Sequence, residues 1–385
     1  MKKLAIVTSH PIQYNAPLFR LLTERGNIEL KVFYTWGQTK EGSVYDPDFK
    51  KTFAWDIPLL EGYEKEFVEN VSDKPGAGHF NGIKNKDLVQ RIDVYDPDTL
   101  LVFGWSFHSH LHLLRHYKGK KKILFRGDST LLDEAAGLSL KKIIRRIALT
   151  WIYRHIDIAL YTGTDNRAYY VKHGLNNMQL AYAPHAVENS RFYDADGHAA
   201  AKARIWRKEL GIGDHELVFL FAGKLEPKKD PALLIDAFLL LPRNDVRLLI
   251  VGNGLLEDEL KQKAASDKRI LFLDFQNQQQ MPVVYRLGDV FVLPSKGPGE
   301  TWGLSVNEAM ACGRAVIVSN RCGCGKELVK SNGKLFAAAH LSELAAAMRF
   351  FAENRDAVQS MGNESRKIID KFSYREIADV IEELV

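Results

Sequence analysis

The chain has 385 residues, too many for one ordinary α/β core, so two domains are expected. Hydrophobic residues make up 46% and charged residues 26%, the balance of an ordinary soluble globular protein, and no run of about 18 apolar residues is present to span a membrane. The formal charge of +5 favours anionic ligands or surfaces weakly and does not point to nucleic acid.

The N-terminus, MKKLAIVTSHPIQ, carries two lysines before a short β-branched run and reads as a buried strand rather than a signal peptide. Further strands are expected at 29–34, 99–103, 122–125 and 158–162, with a helix over 17–24. Residues 37–98 show weak periodicity and read as long connections with short elements. Residues 139–155 (SLKKIIRRIALTWIYRH), opening on Ser139 and closing on His155, set Lys141, Lys142, Arg145 and Arg146 beside Ile144, Ala148, Trp151 and Ile152. At helical spacing this is a basic amphipathic helix. It either packs its apolar side inward or lies on an anionic membrane surface.

A polar, glycine-containing segment near 194–198 marks the domain boundary. After it, strands LVFLFAG, VRLLIVG, ILFLDF, VFVLPS and AVIVS alternate with helices, and their continuous apolar runs suit parallel strands buried on both faces. The tail from about 342 is helical in composition. The expected fold class is α/β, with a first domain over 1–193 and a second over 194–371.

Three features of the second half carry chemistry. Strand LVFLFAG ends at Gly223 and leads into KLEPKKD, where Lys224 and Lys229 suit a diphosphate; the bland alternative is a solvated basic loop. Asp230 can cap the next helix and Pro231 fits its first turn. The turn over Gly299–Leu304 offers backbone N–H groups, with Gly303 allowing close approach. Glu300 and Glu308, with seven residues between them, add carboxylates that accept hydrogen bonds from sugar and ribose hydroxyls. Each has a bland reading, as a loop carboxylate or a helix-face residue. Together they lie at carboxyl ends of strands in one sheet, where ligands bind, and they point to a nucleotide-sugar.

FAGKLEPKKD paired with GETWGLSVNEAMACGRAVIVSN resembles the retaining glycosyltransferases of family 4, the glycosyl transferases group 1. The resemblance implies a GT-B fold: two Rossmann-like parallel-sheet domains facing across a cleft. It extends to APHAVENSRF, which is similar to the family's entry into its second domain. KFSYREIADVIEELV is similar to its closing helix, which implies that about 372–385 cross back to the first domain. Two positions depart from the pattern: Lys224 stands for an Arg, and Trp302 for a Phe before Gly303.

By this resemblance Glu300, Lys224 and Lys229 are catalytic, with Glu300 holding the donor sugar and the lysines neutralising the leaving diphosphate. Glu308 binds the ribose, and Gly223, Trp302, Gly303 and Leu304 complete the donor site. Neither cofactor nor metal is implied, and no Asp-x-Asp or metal-spaced His cluster occurs in this half. The first domain then takes the acceptor, with His10, Arg126 and Asp128 as acceptor-side candidates; a locally satisfied loop histidine is the alternative for His10. His108 and His110 lack further ligands for a metal, and Cys312, Cys322 and Cys324 read as buried or loop thiols in a reducing compartment.

The expected function is retaining, metal-independent transfer of a sugar from a nucleoside diphosphate-sugar, UDP ahead of GDP, to a hydroxyl acceptor. The acceptor would be a glycan or lipid-linked species in surface polysaccharide or glycolipid assembly, and the protein cytoplasmic or peripheral on the inner face of the membrane. The alternatives are a GT-B-like sugar-nucleotide epimerase and a non-catalytic nucleotide-sugar-binding scaffold.

Overall fold

A computed structural model describes residues 1–37, 44–46, 51–134, 137 and 139–385. The chain divides into two compact units. The first comprises Met1–Val44, Ile57–Pro184 and Tyr374–Val385; the second comprises Tyr45–Asp56 and His185–Ser373. The weakly periodic 37–98 stretch lies partly outside the described residues.

In chain order the first part runs β1 (Lys2–Thr8), α1 (Ala16–Arg25), β2 (Ile28–Tyr34), β3 (Val44–Asp46), β4 (Lys51–Phe53), β5 (Glu64–Phe67), α2 (Leu88–Tyr95), β6 (Thr99–Phe103), α3 (His108–Tyr117), β7 (Lys122–Arg126), α4 (Leu140–Tyr153), β8 (Ile158–Tyr161), α5 (Thr164–Lys172) and β9 (Leu180–Tyr182). Seven of these strands form a sheet of order β5-β2-β1-β6-β7-β8-β9, parallel throughout. Ala5, Val7, Leu100, Val102, Ile123 and Phe125 are buried in it, which is why these strands read as unbroken apolar runs.

The second series runs α6 (Asn189–Tyr193), α7 (His198–Glu209), β10 (Leu217–Ala222), α8 (Pro231–Leu239), β11 (Val246–Val251), α9 (Glu257–Ala264), β12 (Ile270–Leu273), α10 (Met281–Leu287), β13 (Val290–Leu293), α11 (Leu304–Ala311), β14 (Ala315–Ser319), α12 (Gly325–Leu328), β15 (Gly333–Phe336), α13 (Leu341–Glu353) and α14 (Arg355–Ile369). Its sheet has order β12-β11-β10-β13-β14-β15, also parallel. Residues 185–193 pack with this unit. Asn189 Nδ2 donates to the carbonyls of Ile369 and Phe372, and Arg286 Nη2 donates to that of Phe192. The last helix, α15 (Tyr374–Leu384), belongs to the first unit and packs on α1.

Two local expectations change. His108 and His110, weighed above as a metal pair, open helix α3, where a spacing of two sets them on different faces. Asp230 does not cap α8 through its side chain: it sits at φ 51°, and its carboxylate pairs with Lys296 Nζ at 3.0 Å.

Candidate functional site

Strand order locates the site before any side chain is considered. In the second sheet β10 is followed outward by β11 and β12, while β13 lies on its other side. The connections therefore diverge between β10 and β13, and open α/β sheets bind ligands at the carboxyl ends of such a pair. Lys224 and Lys229 follow β10; Glu300 follows β13.

The structure brings Lys229 and Glu300 together: Nζ lies 2.6 Å from Oε2, with Glu300 only 8% exposed. Ser295 Oγ donates to the same oxygen at 3.0 Å. Ser295 is itself buried, and its carbonyl accepts from Ser319 Oγ. Lys224 is half-buried in the turn directly after Gly223. The two loops are tied to each other, since Lys296 N donates to Lys228 O at 2.9 Å.

Gly303 starts α11 at φ 100°, and a Cβ there would meet Leu293 Cδ2 at 2.8 Å. Both conformation and space demand glycine. The turn is held by the CGCG segment, as Gly323 N donates to Glu300 O and Cys324 N to Trp302 O. A Cβ on Gly323 would lie 1.7 Å from Thr301 O, so this contact too needs a bare backbone. Trp302 differs from a ligand-facing residue: it is 4% exposed, its Nε1 donates to Asn307 Oδ1 at 2.8 Å, and its ring packs near His185. Asn307 Nδ2 donates in turn to His185 O.

Glu308 projects from α11 and is 2% exposed. Its Oε2 accepts from Tyr285 OH at 2.6 Å. Tyr285 and Ser295 were missed by sequence reasoning. The signal for Tyr285 was its position in the helix MPVVYRL, apolar but for Arg286: a buried phenol needs a partner for its hydroxyl. Cys312, Cys322 and Cys324 are buried and unpaired, and burial pushes the Cys322 thiol up to about 12.

In the first sheet the connections diverge between β1 and β6, and His10 follows β1. Its Nδ1 lies 2.9 Å from Ser9 Oγ and its ring stands edge-on to Trp36; burial lowers its pKa. Arg126 is committed elsewhere. Nη1 and Nη2 donate to the carbonyls of Ala183 and Pro184, each at 2.9 Å, and burial brings the guanidinium down to about 10. It anchors the end of the unit rather than presenting its donors. Asp128 is exposed in a turn whose Gly127 and Ser129 carbonyls accept from Asn166 Nδ2. His110 is buried and bonded to Thr35 and two backbone carbonyls, which leaves it no ligand role. Among the described residues no cluster of three or more His, Cys, Asp or Glu side chains is placed to hold a metal.

Two parallel sheets covered by helices, with a lysine–glutamate pair at the divergence point of the second, define a pair of Rossmann-like units. HepE of Anabaena, solved with UDP and glucose, superposes with a TM-score of 0.72 at 17% identity over 100% of this chain and 99% of its own, a likeness of fold. The chain belongs to the glycosyl transferases group 1 and has the GT-B fold; it is a glycosyltransferase. Residues 202–368 match that family. A D-inositol 3-phosphate glycosyltransferase of Mycobacteroides abscessus is 34% identical over 346 residues, covering 83% of this chain and 74% of the relative. A UDP-Gal:alpha-D-GlcNAc-diphosphoundecaprenol alpha-1,3-galactosyltransferase of Escherichia coli is 32% identical over 151 residues, 37% of each chain.

Proposed function

We propose that the chain transfers a sugar with retention from a UDP-sugar to a hydroxyl acceptor, without metal or cofactor. The second unit takes the donor and the first unit the acceptor. The observation carrying this reading is the Lys229–Glu300 contact at the β10/β13 divergence. In the reaction the bond from the sugar C1 to the diphosphate oxygen breaks. A bond from C1 to the acceptor oxygen forms, the acceptor gives up its proton, and the diphosphate departs with the electron pair. Lys229 and Lys224 balance the charge that grows on the diphosphate, the role a divalent cation plays in other sites. Glu300, held through Oε2, keeps Oε1 for a donor-sugar hydroxyl. Glu308 accepts from the ribose hydroxyls, while Tyr285 holds its orientation. UDP is favoured because the galactosyltransferase relative is named for a UDP-sugar and HepE was solved with UDP.

The acceptor is a lipid-linked or surface glycan, reached from the inner face of the membrane. This rests on α4, where Leu140, Ile144 and Ile147 are 73%, 59% and 66% exposed, flanked by exposed Lys141, Arg145 and Arg146. The galactosyltransferase relative is named for a polyprenyl diphosphate acceptor. Among the described residues no helix is long and apolar enough to cross a membrane.

The test is thermal unfolding with UDP and UDP-sugars in EDTA, on the parent and on Lys229→Ala. A UDP-dependent rise in Tm that persists in EDTA and shrinks in the variant is expected. A rise that needs a divalent cation, or that the variant keeps in full, would defeat the metal-free donor site.

A further inference from the structure

A cavity of about 980 Å³ opens in the second unit at the amino ends of its strands, the edge opposite Lys229 and Glu300. Leu217 opens β10 there, Asp289 precedes β13 and Arg314 precedes β14, with residues of α7 and α14 as walls. Its charge is lopsided. Arg204, Arg207, Arg286, Arg314, Arg355 and Arg366 line it, against four carboxylates.

Most of the carboxylates are already matched. Asp289 pairs with Arg207 at 3.1 Å and Asp194 with Arg286 at 3.3 Å; Glu216 pairs with Arg247 at 2.7 Å. Arg355 is held by Asp245 at 2.8 Å. Among the described residues Arg204, Arg314 and Arg366 have no carboxylate within ion-pair distance, and the remaining lining carboxylate, Asp214, is exposed. Arg314 is half-buried and fixed in place, with Nε donating to Cys312 O at 3.1 Å and Nη1 to Gly288 O at 3.0 Å. The Arg366 side chain lies over Gly313, whose absent Cβ would stand 2.8 Å from Nε. Burial lowers the Arg314 pKa; the Cys312 thiol and the Asp289 carboxylate oppose that, and the positive fields of Arg286 and Arg366 add to it. Six guanidinium groups against four carboxylates leave an excess of positive charge, and an anion relieves the mutual repulsion of the arginines. Their planar forks match the oxygens of a phosphate better than a monovalent anion such as chloride.

We propose that this cavity, lined by Arg204, Arg314 and Arg366, is a second anion site that binds a phosphate group, separate from the donor site at the other edge of the sheet. Its volume exceeds that of phosphate alone and accommodates a phosphate monoester with a sugar-sized body. The proposal stands independently of the transfer reaction.

The experiment is calorimetric titration of the full chain with inorganic phosphate, against chloride at equal ionic strength. Saturable phosphate binding is expected. Arg366→Gln, whose side chain is exposed, should fold normally and weaken it by about tenfold, the order of one lost charge-assisted contact. Arg204→Gln should weaken it in the same direction, and Lys229→Ala should leave it unchanged. UDP binding should survive in both arginine variants, so failure here is distinguishable from failure of the donor site. Binding no better than chloride, unchanged affinity in both arginine variants, or loss in Lys229→Ala would each overturn the proposal. Titration with a sugar monophosphate separates two sources of the same chemistry. Tighter binding than inorganic phosphate assigns the remaining volume to an ester, and equal affinity assigns the site to phosphate itself; either result upholds it.

Discussion

At the scale of single residues, the ion pair between Lys229 and Glu300 makes two different predictions. Lys229→Ala removes positive charge from the leaving group and should weaken UDP binding and turnover together. Glu300→Gln keeps the size and the Ser295 contact but loses the carboxylate. Its kcat should fall by about a hundredfold or more with UDP affinity largely kept. Steady-state kinetics on both variants checks this, and near-parent turnover in Glu300→Gln would remove Glu300 from the chemistry. Tyr285→Phe should raise the donor KM several-fold, because the buried Glu308 loses the hydroxyl that orients it, and should cost about 1–3 kcal/mol in stability. His110 carries a pH prediction. Burial pushes its pKa from 6.5 to about 4, and its Nδ1 donates to the carbonyls of Phe103 and Gly104. The unfolded chain binds the proton more readily, so the stability is present above pH 6.5 and is lost as the pH falls toward 4. Between pH 7 and pH 5 the loss is about 2 kcal/mol. Urea unfolding at the two pH values should show that difference in the parent and a flatter one in His110→Gln.

Among the elements, α4 departs most from the usual burial of an amphipathic helix. Only Leu149, Ile152 and Tyr153 are buried, while a second apolar stripe through Leu140, Ile143, Ile144, Ile147 and Trp151 faces outward. Arg115 lies over the Trp151 ring at 5.4 Å, adding positive charge beside the stripe. Apolar side chains set among basic ones are the pattern of a helix lying in a lipid interface. The protein should sediment with phosphatidylglycerol vesicles and not with phosphatidylcholine vesicles. Lys141→Glu, Arg145→Glu and Arg146→Glu combined should abolish sedimentation without altering UDP binding; sedimentation that persists in that variant would sink the membrane reading.

Across the whole molecule, the chain leaves its first unit and returns to it at the end. In α15, Ile377, Ala378 and Ile381 are buried. Arg25 Nη1 on α1 reaches Asp379 at 2.6 Å and Glu382 at 3.1 Å, and Tyr374 OH donates to Tyr14 O. The stability of the first sheet therefore depends on residues at the far end of the sequence. Ile381→Ala should destabilise the first unit by about 2–5 kcal/mol, as cavities in packed cores do. The UDP-dependent shift, which we propose arises in the second unit, should remain. Loss of both together would show that α15 supports the second unit as well.

The sequence by itself determined the α/β class and the two parallel sheets, and it singled out the lysines and glutamates that we propose for the donor side. Those properties are written in local signals: continuous apolar strands, a glycine at a strand end, and two glutamates at a family spacing. It determined less about what each side chain does. Trp302 reads as part of the donor turn, yet its indole is buried against Asn307. Arg126 reads as acceptor-facing, yet its donors hold Ala183 and Pro184. Asp230 reads as a helix cap, yet it pairs with Lys296. Tyr285 was invisible as the partner of Glu308 because that pairing joins α10 to α11, and Ser295 as the partner of Glu300 because it depends on how the loop between β13 and α11 folds back on itself. Their geometry is set by packing, which spacing along one strand or helix does not encode. The same holds for α4. Its amphipathic pattern is legible in the residues, but only the tertiary structure decided which apolar stripe is buried, because that depends on what the rest of the first unit places beside it.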